Sequence, residues 1–592
     1  MDKTQEKTIK TEKRLLTKIA KSTGGITLIL TGIKILGFIE KQVLAYYFGT
    51  GYQGDAYFVG FSLMIVFWDL SRGLMAPSYL PTLIEYRSKV GEAKSWEFIS
   101  TVFNMMSIIF VVIIGIGIIF THQAVYLTAP GFVSQASLTE EEYQKILEQF
   151  PGVESALDTE IIQKDRSKVF IDVSKIPEKQ RSVLGAEAFD VLAKHAAKRF
   201  ELAVGMTRLM LTGAAFFAIA ILTGLTLNSY KRFILAVADD VVFKISGFLG
   251  LVLLVRYIGI YGLGLGIALG SWLAPLIHLI GLRRQLPFYR RRIDLKLDPL
   301  RKMFRLIIPL IVGTTCIESR RLIDNFFASK LRVGSVTALA YGYKLIEFAY
   351  VAIAEPLAVV VFPYFSDLAI QKDHGKLTET LMITLRTVIL IFTPLGVCLF
   401  ALRYPVVRLL FERGEFDTIS TQLTVTALTY YSLGIVCFAV DVILLRFYFS
   451  MSDTKTPAIM EVITLAVHVG IIYIFIGAMD HGSIALAFTL SKTMKVLVLY
   501  GLLKRKIDDI QLPHNLQFFG KIIIAVGIML TMMSGYHGWY ASQFDLSSLF
   551  QQALFIGSSG SLGVLTFFIV TIVLKVQEVR LILRAVSDYV KR

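Results

Sequence analysis

The sequence predicts an all-α polytopic membrane protein of about fourteen transmembrane helices, in two six-helix halves followed by two further helices. Three observations carry this. The 592 residues are 55% hydrophobic and 18% charged, with a mean hydropathy of +0.63, too apolar for a soluble chain of this length to cover its core. Apolar runs of about 20 residues recur along the whole chain. Lysine and arginine collect on alternate connections between those runs, which also accounts for the net charge of +16 without invoking nucleic acid.

The N-terminal segment 1–24 is polar and basic, beginning MDKTQEKTIKTEKRLLTKIAKS. No small-residue cleavage site follows the first apolar run, so that run is expected to stay as a helix. The spans fall near 25–47, 56–80, 102–122, 202–227, 233–257, 260–282, 303–326, 336–362, 380–402, 422–447, 457–477, 482–503, 518–538 and 552–575. Basic connections at Arg87–Lys94, Lys231–Arg232, 283–302 and Lys504–Lys506 share one parity with the N-terminal tail. The opposite connections TGYQGD, MDHGS and SGYHGWYASQFDLSS have no lysine or arginine. Both termini are therefore expected in the cytoplasm. The three cysteines, Cys316, Cys398 and Cys437, lie in apolar runs, which argues against a disulfide framework.

Segment 134–201 breaks the short-loop pattern. It is polar, has no run long enough to span, and by parity lies outside the cytoplasm. EEEYQKILEQF and AEAFDVLAKHAAKRF within it have the pattern of amphipathic helices, compatible with a small folded cap or with an extended, partly ordered loop. The chain also repeats itself. Tyr79-Leu80-Pro81 at the end of the second span resembles Val361-Phe362-Pro363 at the end of the eighth, and Asn228-Ser229 after the fourth resembles Phe449-Ser450 after the tenth. The two spacings differ by about the length of the polar segment. The halves are thus 25–282, interrupted by 134–201, and 303–506, joined by the basic linker 283–302, with 507–592 holding two extra helices and a tail. Six-plus-six transporters place their substrate between the halves near mid-membrane.

An ordered set of motifs adds a resemblance. KILGFIEKQVLAYYFGTGYQGDAYFVGF (34–61) carries a Leu-Gly-Phe, a Phe-Gly and an Asp-Ala-aromatic; LPTLIEYRSKVGE (80–92), TAPGF (128–132), ALAYGYKLIEF (338–348), VRLLFERGEFD (407–417) and RFYFSMSDTKTP (446–457) follow. In this order they resemble the MurJ (MviN) family. The resemblance implies the multidrug/oligosaccharidyl-lipid/polysaccharide exporter fold with fourteen helices. It also implies movement of lipid II, the undecaprenyl-linked peptidoglycan precursor, to the outer leaflet of the bacterial inner membrane. The chain departs from the family pattern where cations count. Lys34 and Glu40, followed by Lys41, stand where the family usually has two arginines around Leu-Gly-Phe. SLMIVFWDLSRG (62–73) lacks the family's Pro-Asn and leaves Asp69 and Arg72, and Lys344 stands at the arginine of the eighth helix. Arginine grips phosphate through a planar fork and lysine as a point charge, so the swaps bear on the substrate more than on the fold.

A lipid-linked sugar diphosphate needs a wet cavity, cations for its phosphates, and a side gap for its prenyl tail. The candidate substrate-binding residues are Lys34, Lys41, Arg72, Arg320, Arg321, Lys344 and Glu347, on the first, second, seventh and eighth helices. Lys34, Arg320, Arg321 and Lys344 are expected to meet in one cleft. Lys41 and Arg72 could instead snorkel to an interface, and Arg320 and Arg321 could pair with Glu318, Asp324 or Glu347. Asp239, Asp240, Lys244, Asp441, Glu461 and Lys492 are further intramembrane charges, read as interhelical pairs before sites coupling transport to sodium or protons. His468 reads as a packed polar residue. YGLGLGIALG (261–270) sits in an apolar span, so its glycines serve close helix packing rather than a dinucleotide. No GxxxxGK[ST] loop, metal-ligand spacing or nucleophile–base set appears, so neither an enzyme nor a cofactor is expected, and coupling to membrane potential, sodium or protons stays open. The chain is expected to work as a monomer carrying an undecaprenyl-pyrophosphate-linked sugar. The alternatives are export of another undecaprenyl-linked glycan, cation-coupled drug antiport, and a non-transporting membrane scaffold.

Loop charge generates a test of topology. Single cysteines placed in 134–201 and 539–551 should react with an impermeant reagent added outside the cell, and those in 283–302 should not. Labelling with the opposite pattern inverts the assignment.

Overall fold

The computed structural model describes residues 29, 31–150, 153, 162–165, 168–503, 512–546 and 548–579. The basic tail 1–24, Lys504–Lys506 and the tail beyond 579 lie outside these residues. Eleven of the described helices are long and apolar enough to cross a membrane. One of them, α2 (Tyr52–Ile119), is 68 residues long and covers two predicted spans. The basic connection expected between them is helical too, broken at Gly91, whose φ of 80° suits a residue without a side chain. The predicted spans 25–47 and 303–326 fall on α1 (31–48) and on α9 (Asp298–Ser329), whose Glu318, Arg320, Arg321 and Asp324 keep it from the same apolarity.

Exposed apolar side chains mark the outer faces. Ile308 is 67% exposed and Ile474 is 73% exposed, with Val111, Val112, Leu497 and Ile523 similar. In water this would drive aggregation; against lipid tails it is the required surface.

The chain forms two compact units: residues 1–44 with 51–336, and residues 45–50 with 337–592. The first contains α1 to residue 44, α2, α3 (Thr121–Thr128), the inserted segment, α6 (Ala186–Ser229), α7 (Ala238–Ile258), α8 (Tyr261–Leu282) and α9. The division thus falls after α9, whereas the repeat places the second half from 303. The reason is that α9 packs along α2. A Cβ on Gly73 would lie 2.8 Å from the Thr314 methyl, and Arg321 reaches Asp69. The glycines of YGLGLGIALG form the expected packing seam. A Cβ on Gly266 would lie 2.3 Å from the Ser246 carbonyl oxygen, and one on Gly250 2.5 Å from that of Gly262, so α7 and α8 meet backbone to backbone. On the basic side, Lys302 and Lys89 both donate to Glu85, pulling its carboxyl down to about 2.

The inserted segment is a folded module rather than an extended loop, a small sheet carried on the all-α membrane bundle. It contains a three-stranded antiparallel sheet of order β1-β3-β2, from β1 (Gln135–Thr139), β2 (Ile162–Asp165) and β3 (Lys168–Asp172). Ala136 and Leu138 alternate inward opposite Ile171 and Val169, as the two-residue period of a strand demands. The helix α4 (Glu140–Gln149) packs Tyr143 and Ile146 onto that face and begins with a capping box, Thr139 with Glu142. After α5 (Glu178–Leu184), α6 starts inside the module with Ala188, Leu192 and Ala196 and runs on into the membrane as one helix of 44 residues. The second predicted amphipathic helix is therefore the module end of a transmembrane helix.

Arg199 of α6 anchors the base of the module. It and Asp55 of α2 are each 1% exposed. Its guanidinium donates to Asp55 Oδ2 at 3.1 Å and to Gln135 Oε1 at 2.5 Å, and covers the Phe132 ring at 4.1 Å. Asp55 also accepts the Gly334 backbone N–H at 2.8 Å, and Gln135 donates to the Leu331 carbonyl at 2.9 Å. Gly131 of TAPGF packs so closely on the Ser329 backbone that a Cβ would lie 2.0 Å from its carbonyl oxygen. The family-like motifs of 51–57 and 128–132 thus converge on the turn after α9.

The second unit contains α10 (Ser335–Ile370), from residue 337, α11 (His374–Ala401), α12 (Arg403–Phe411), α13 (Thr418–Ser450), α14 (Lys455–Met479), α15 (Gly482–Leu503), α16 (Leu512–Gln543) and α17 (Leu549–Val573). Residues 45–50 join it because Tyr46 accepts the Glu415 N–H at 2.9 Å and Thr50 bonds Ser420 at 2.9 Å. In the RGEFD stretch Gly414 has φ 61°, and Asp417 caps α13 through the Ser420 N–H. The last two helices share a core with α11 through Leu390, Phe518, Met529, Phe555 and Phe567, and Arg386 holds Glu578 at 2.7 Å.

Deleting about residues 138–195 keeps Gln135 and Arg199, and should leave a chain that inserts and elutes as a single species. Arg199→Ala in the full chain should be worse, costing about 3–5 kcal/mol by stranding the buried Asp55 carboxylate. Detergent-solubilised thermal stability compares the two. A deletion less stable than Arg199→Ala shows that the module belongs to the core.

Candidate functional site

A charge in an apolar span must be paired or wetted, because lipid solvates neither sign. In the first unit the intramembrane charges form a run of contacts from α9 through α2 and α7 to α1. Arg321 lies 3.6 Å from Glu318, one turn back on α9, and 3.5 Å from Asp69 of α2. One turn along α2, Arg72 donates to Asp240 of α7 at 3.2 Å and lies 4.0 Å from Asp239. One turn along α7, Lys244 lies 3.7 Å from Glu40 of α1, which also takes Lys41 at 2.7 Å. The i, i+3 and i, i+4 spacing on each helix carries the run from neighbour to neighbour.

Exposure separates two kinds of member. The Arg72, Arg321 and Asp69 side chains are 45%, 40% and 39% exposed, and Trp68 lies under Arg72 with the guanidinium 5.5 Å from its ring. Charges that open on an apolar segment line water rather than lipid. Lys41 is different. It is buried, donates to Glu40 and to Tyr57 Oη at 3.0 Å, and sits within 5.5 Å of the Tyr57, Phe58 and Phe61 ring centres. It neither snorkels nor presents its charge on an open face. Glu40, standing at a position where the family has arginine, neutralises Lys41 and Lys244. Lys34 and Arg320 are half-buried on α1 and α9.

Lys344 and Glu347 belong to the second unit, one turn apart on α10, paired at 2.8 Å with about a third of each side chain exposed. Deeper in the same unit lies a group of four charges. Asp441 of α13 and Glu461 of α14 share Lys492 and Lys495 of α15, with Lys492 3.0 Å and Lys495 2.8 Å from Asp441 and Lys495 also bonded to Glu461. Lys495 is fully buried. The pairing read for Asp441, Glu461 and Lys492 is what the structure contains; Lys495 escaped notice, although its three-residue spacing from Lys492 puts both on one face. Asp69 was noted in the sequence without its role as partner of Arg321. Among the described residues no group of His, Cys, Asp and Glu is arranged to hold a metal ion.

Comparison with known proteins gives one consistent result. The family described as lipid II flippase MurJ matches residues 44–146 and 182–555, leaving out most of the inserted module. A lipid II flippase MurJ of Burkholderia cenocepacia is 22% identical over 547 residues, covering 90% of this chain and 92% of that protein. A probable lipid II flippase MurJ of Borreliella burgdorferi is 23% identical over 553 residues, covering 92% and 94%. Among solved structures, a lipid II flippase MurJ in an inward closed conformation superposes with a TM-score of 0.68 at 18% identity, covering 92% of this chain and 97% of that one. An inward-facing multidrug resistance MATE family transporter of the MOP superfamily gives 0.60 at 12% identity, covering 81% and 98%; identities this low speak for fold alone.

The four-charge group is held by mutual neutralisation, so removing one member strands the others. Lys495→Ala should lower stability by about 3–5 kcal/mol, whereas Lys495→Met with Asp441→Leu should recover most of the loss. Thermal unfolding in detergent is the measurement. A neutral Lys495→Ala means the cluster is solvated rather than dry.

Proposed function

The chain belongs to the MurJ family, and from that membership we propose that it is a flippase carrying lipid II across the bacterial inner membrane, head group first, by alternating access. One observation of the chain itself supports this: each unit presents open cations on membrane-spanning helices, Arg72 and Arg321 in the first and Lys344 in the second. A diphosphate head group needs such charges inside the membrane, while the prenyl tail stays in lipid. The chain binds substrate and moves it without making or breaking bonds. We place the basic linker 283–302 and both termini in the cytoplasm and the inserted module outside, from loop charge. Lys34, Arg320 and Glu347 complete the proposed contacts, with Glu347 and Asp69 holding the cations in position until phosphate replaces them. Glu40, paired inward in place of a family arginine, favours a second reading, that the glycan differs from that of lipid II while the undecaprenyl diphosphate is kept.

Labelled lipid II flipping in vesicles, normalised to protein, tests the proposal alongside growth of cells depleted of their own flippase. Arg321→Ala and Lys344→Ala should each slow flipping by roughly 10- to 100-fold, the worth of one charge-assisted hydrogen bond. Lys344→Arg and Lys34→Arg should stay active, since the fork suits phosphate. Lys344→Glu should be the poorest. Normal transport by both alanine variants sinks the cationic site, and flipping of a different undecaprenyl-linked glycan but not lipid II selects the second reading.

A further inference from the structure

Three helices of the first unit bury a histidine and an aspartate face to face, and the transport reading uses neither. His278 of α8 is fully buried, and Asp239, at the start of α7, is 3% exposed. The tautomer of His278 follows from its neighbours on α6. Its Nδ1 lies 3.0 Å from the Ala220 carbonyl oxygen and 2.9 Å from Thr223 Oγ1. A carbonyl only accepts, and the Thr223 hydroxyl gives its own proton to the carbonyls of Ile219 and Ala220, at 3.1 and 3.0 Å. Nδ1 therefore carries the ring proton, and Nε2 of the neutral ring offers a lone pair. Asp239 Oδ1 lies 3.8 Å from that lone pair, neither atom makes a hydrogen bond of normal geometry, and the Leu235 carbonyl also faces the ring. Two buried acceptors turned toward each other are unfavourable, and a single proton converts the contact into an attraction.

Few charges surround the pair. Arg72 of α2 lies 4.0 Å from Asp239 and 3.2 Å from Asp240. On α7 itself, Lys244 is turned to Glu40 of α1, which Lys41 shares, and Arg256 lies at the far end of the helix. Arg232, just before the turn Phe233–Ala236, donates to the Gly281 carbonyl one turn along α8 from His278 and to Gln285; the turn itself, α6 from residue 209 onward, and α8 apart from His278 carry no charged side chain. With a neutral ring, Arg72 faces two carboxylates and the set is short of one positive charge.

We propose that Asp239 and His278 form a one-proton binding site whose occupancy sets how firmly Arg72 is held. Without the proton, both carboxylates compete for the guanidinium. A proton taken from water onto Nε2 gives Asp239 an imidazolium partner, leaving Arg72 with Asp240 alone and its open side available to an anion. Proton and anion binding then strengthen each other, and the strengthening is reciprocal. The effect on the anion rests on Arg72 as a phosphate contact, as proposed above; the proton site does not.

Two measurements on the full-length protein separate these statements. Infrared difference spectra between acidic and neutral pH should show carboxylate and imidazole bands that both Asp239→Asn and His278→Gln lose. Identical difference spectra in wild type and both variants overturn the site, and if one variant fails to fold the other decides alone. Calorimetric titration with undecaprenyl pyrophosphate should give wild type an affinity that rises as pH falls, by up to about tenfold per pH unit beyond that of His278→Gln, the limit for one linked proton. The lipid's own titration is common to both proteins and cancels in the comparison. Equal pH dependence in the two overturns the link to Arg72. Absence of lipid binding at every pH, with the infrared change intact, removes the diphosphate reading and leaves the proton site standing.

Discussion

The buried pair of Asp55 and Arg199 is the constraint on which the first unit turns. Each charge would be intolerable alone at 1% exposure, and together they are satisfied only because Gln135, the Phe132 ring and the Gly334 N–H complete the shell. That requirement brings four separate stretches of chain to one point: the start of α2, the base of the inserted module, the first half of α6 and the turn after α9. The helix α6 then transmits this anchoring into the membrane, since a single uninterrupted helix contributes to the module core at one end and packs against α2 and α8 along the rest. The module is in this way tied to the membrane helices through α6.

Charge inside the membrane is handled by the same rule at every other site. Glu40 takes Lys41 and Lys244, Asp441 and Glu461 take Lys492 and Lys495, and the buried groups sum close to neutrality. Where a cation is instead half-open, Asp69 beside Arg321 and Glu347 beside Lys344 are open with it, whereas Arg72 opens on one side only, its partners Asp240 and Asp239 being 19% and 4% exposed. Buried pairs hold helices together, whereas an open pair is one that a phosphate can enter, because the partner carboxylate can be rehydrated when displaced. This difference in hydration distinguishes candidate substrate contacts from structural ones, although residue type is the same in both.

Much of the site was visible in the chain as a set of residues and little of it as an arrangement. Lys41 and Arg72 looked equivalent, each a cation near the end of an apolar run. The structure separates them, because Tyr57, Phe58 and Phe61 close over Lys41 while Arg72 has only Trp68 beneath it. Lys495 stands mid-span beside Lys492, but the carboxylates that capture it come from helices 34 and 54 residues away, a pairing that no local pattern displays.

The sequence by itself determined the membrane-spanning character, the approximate spans, the glycine seam of α7 and α8, the amphipathic helices of the insertion and the resemblance to a family. These depend on composition, short-range periodicity and the order of motifs, which one chain displays directly. Only the tertiary structure decided that the insertion folds around a small sheet, that α9 packs on α2, and which carboxylate meets which cation. Those outcomes depend on contacts between residues far apart in the chain, where the cost of stranding a charge selects among partners that the sequence leaves equally available.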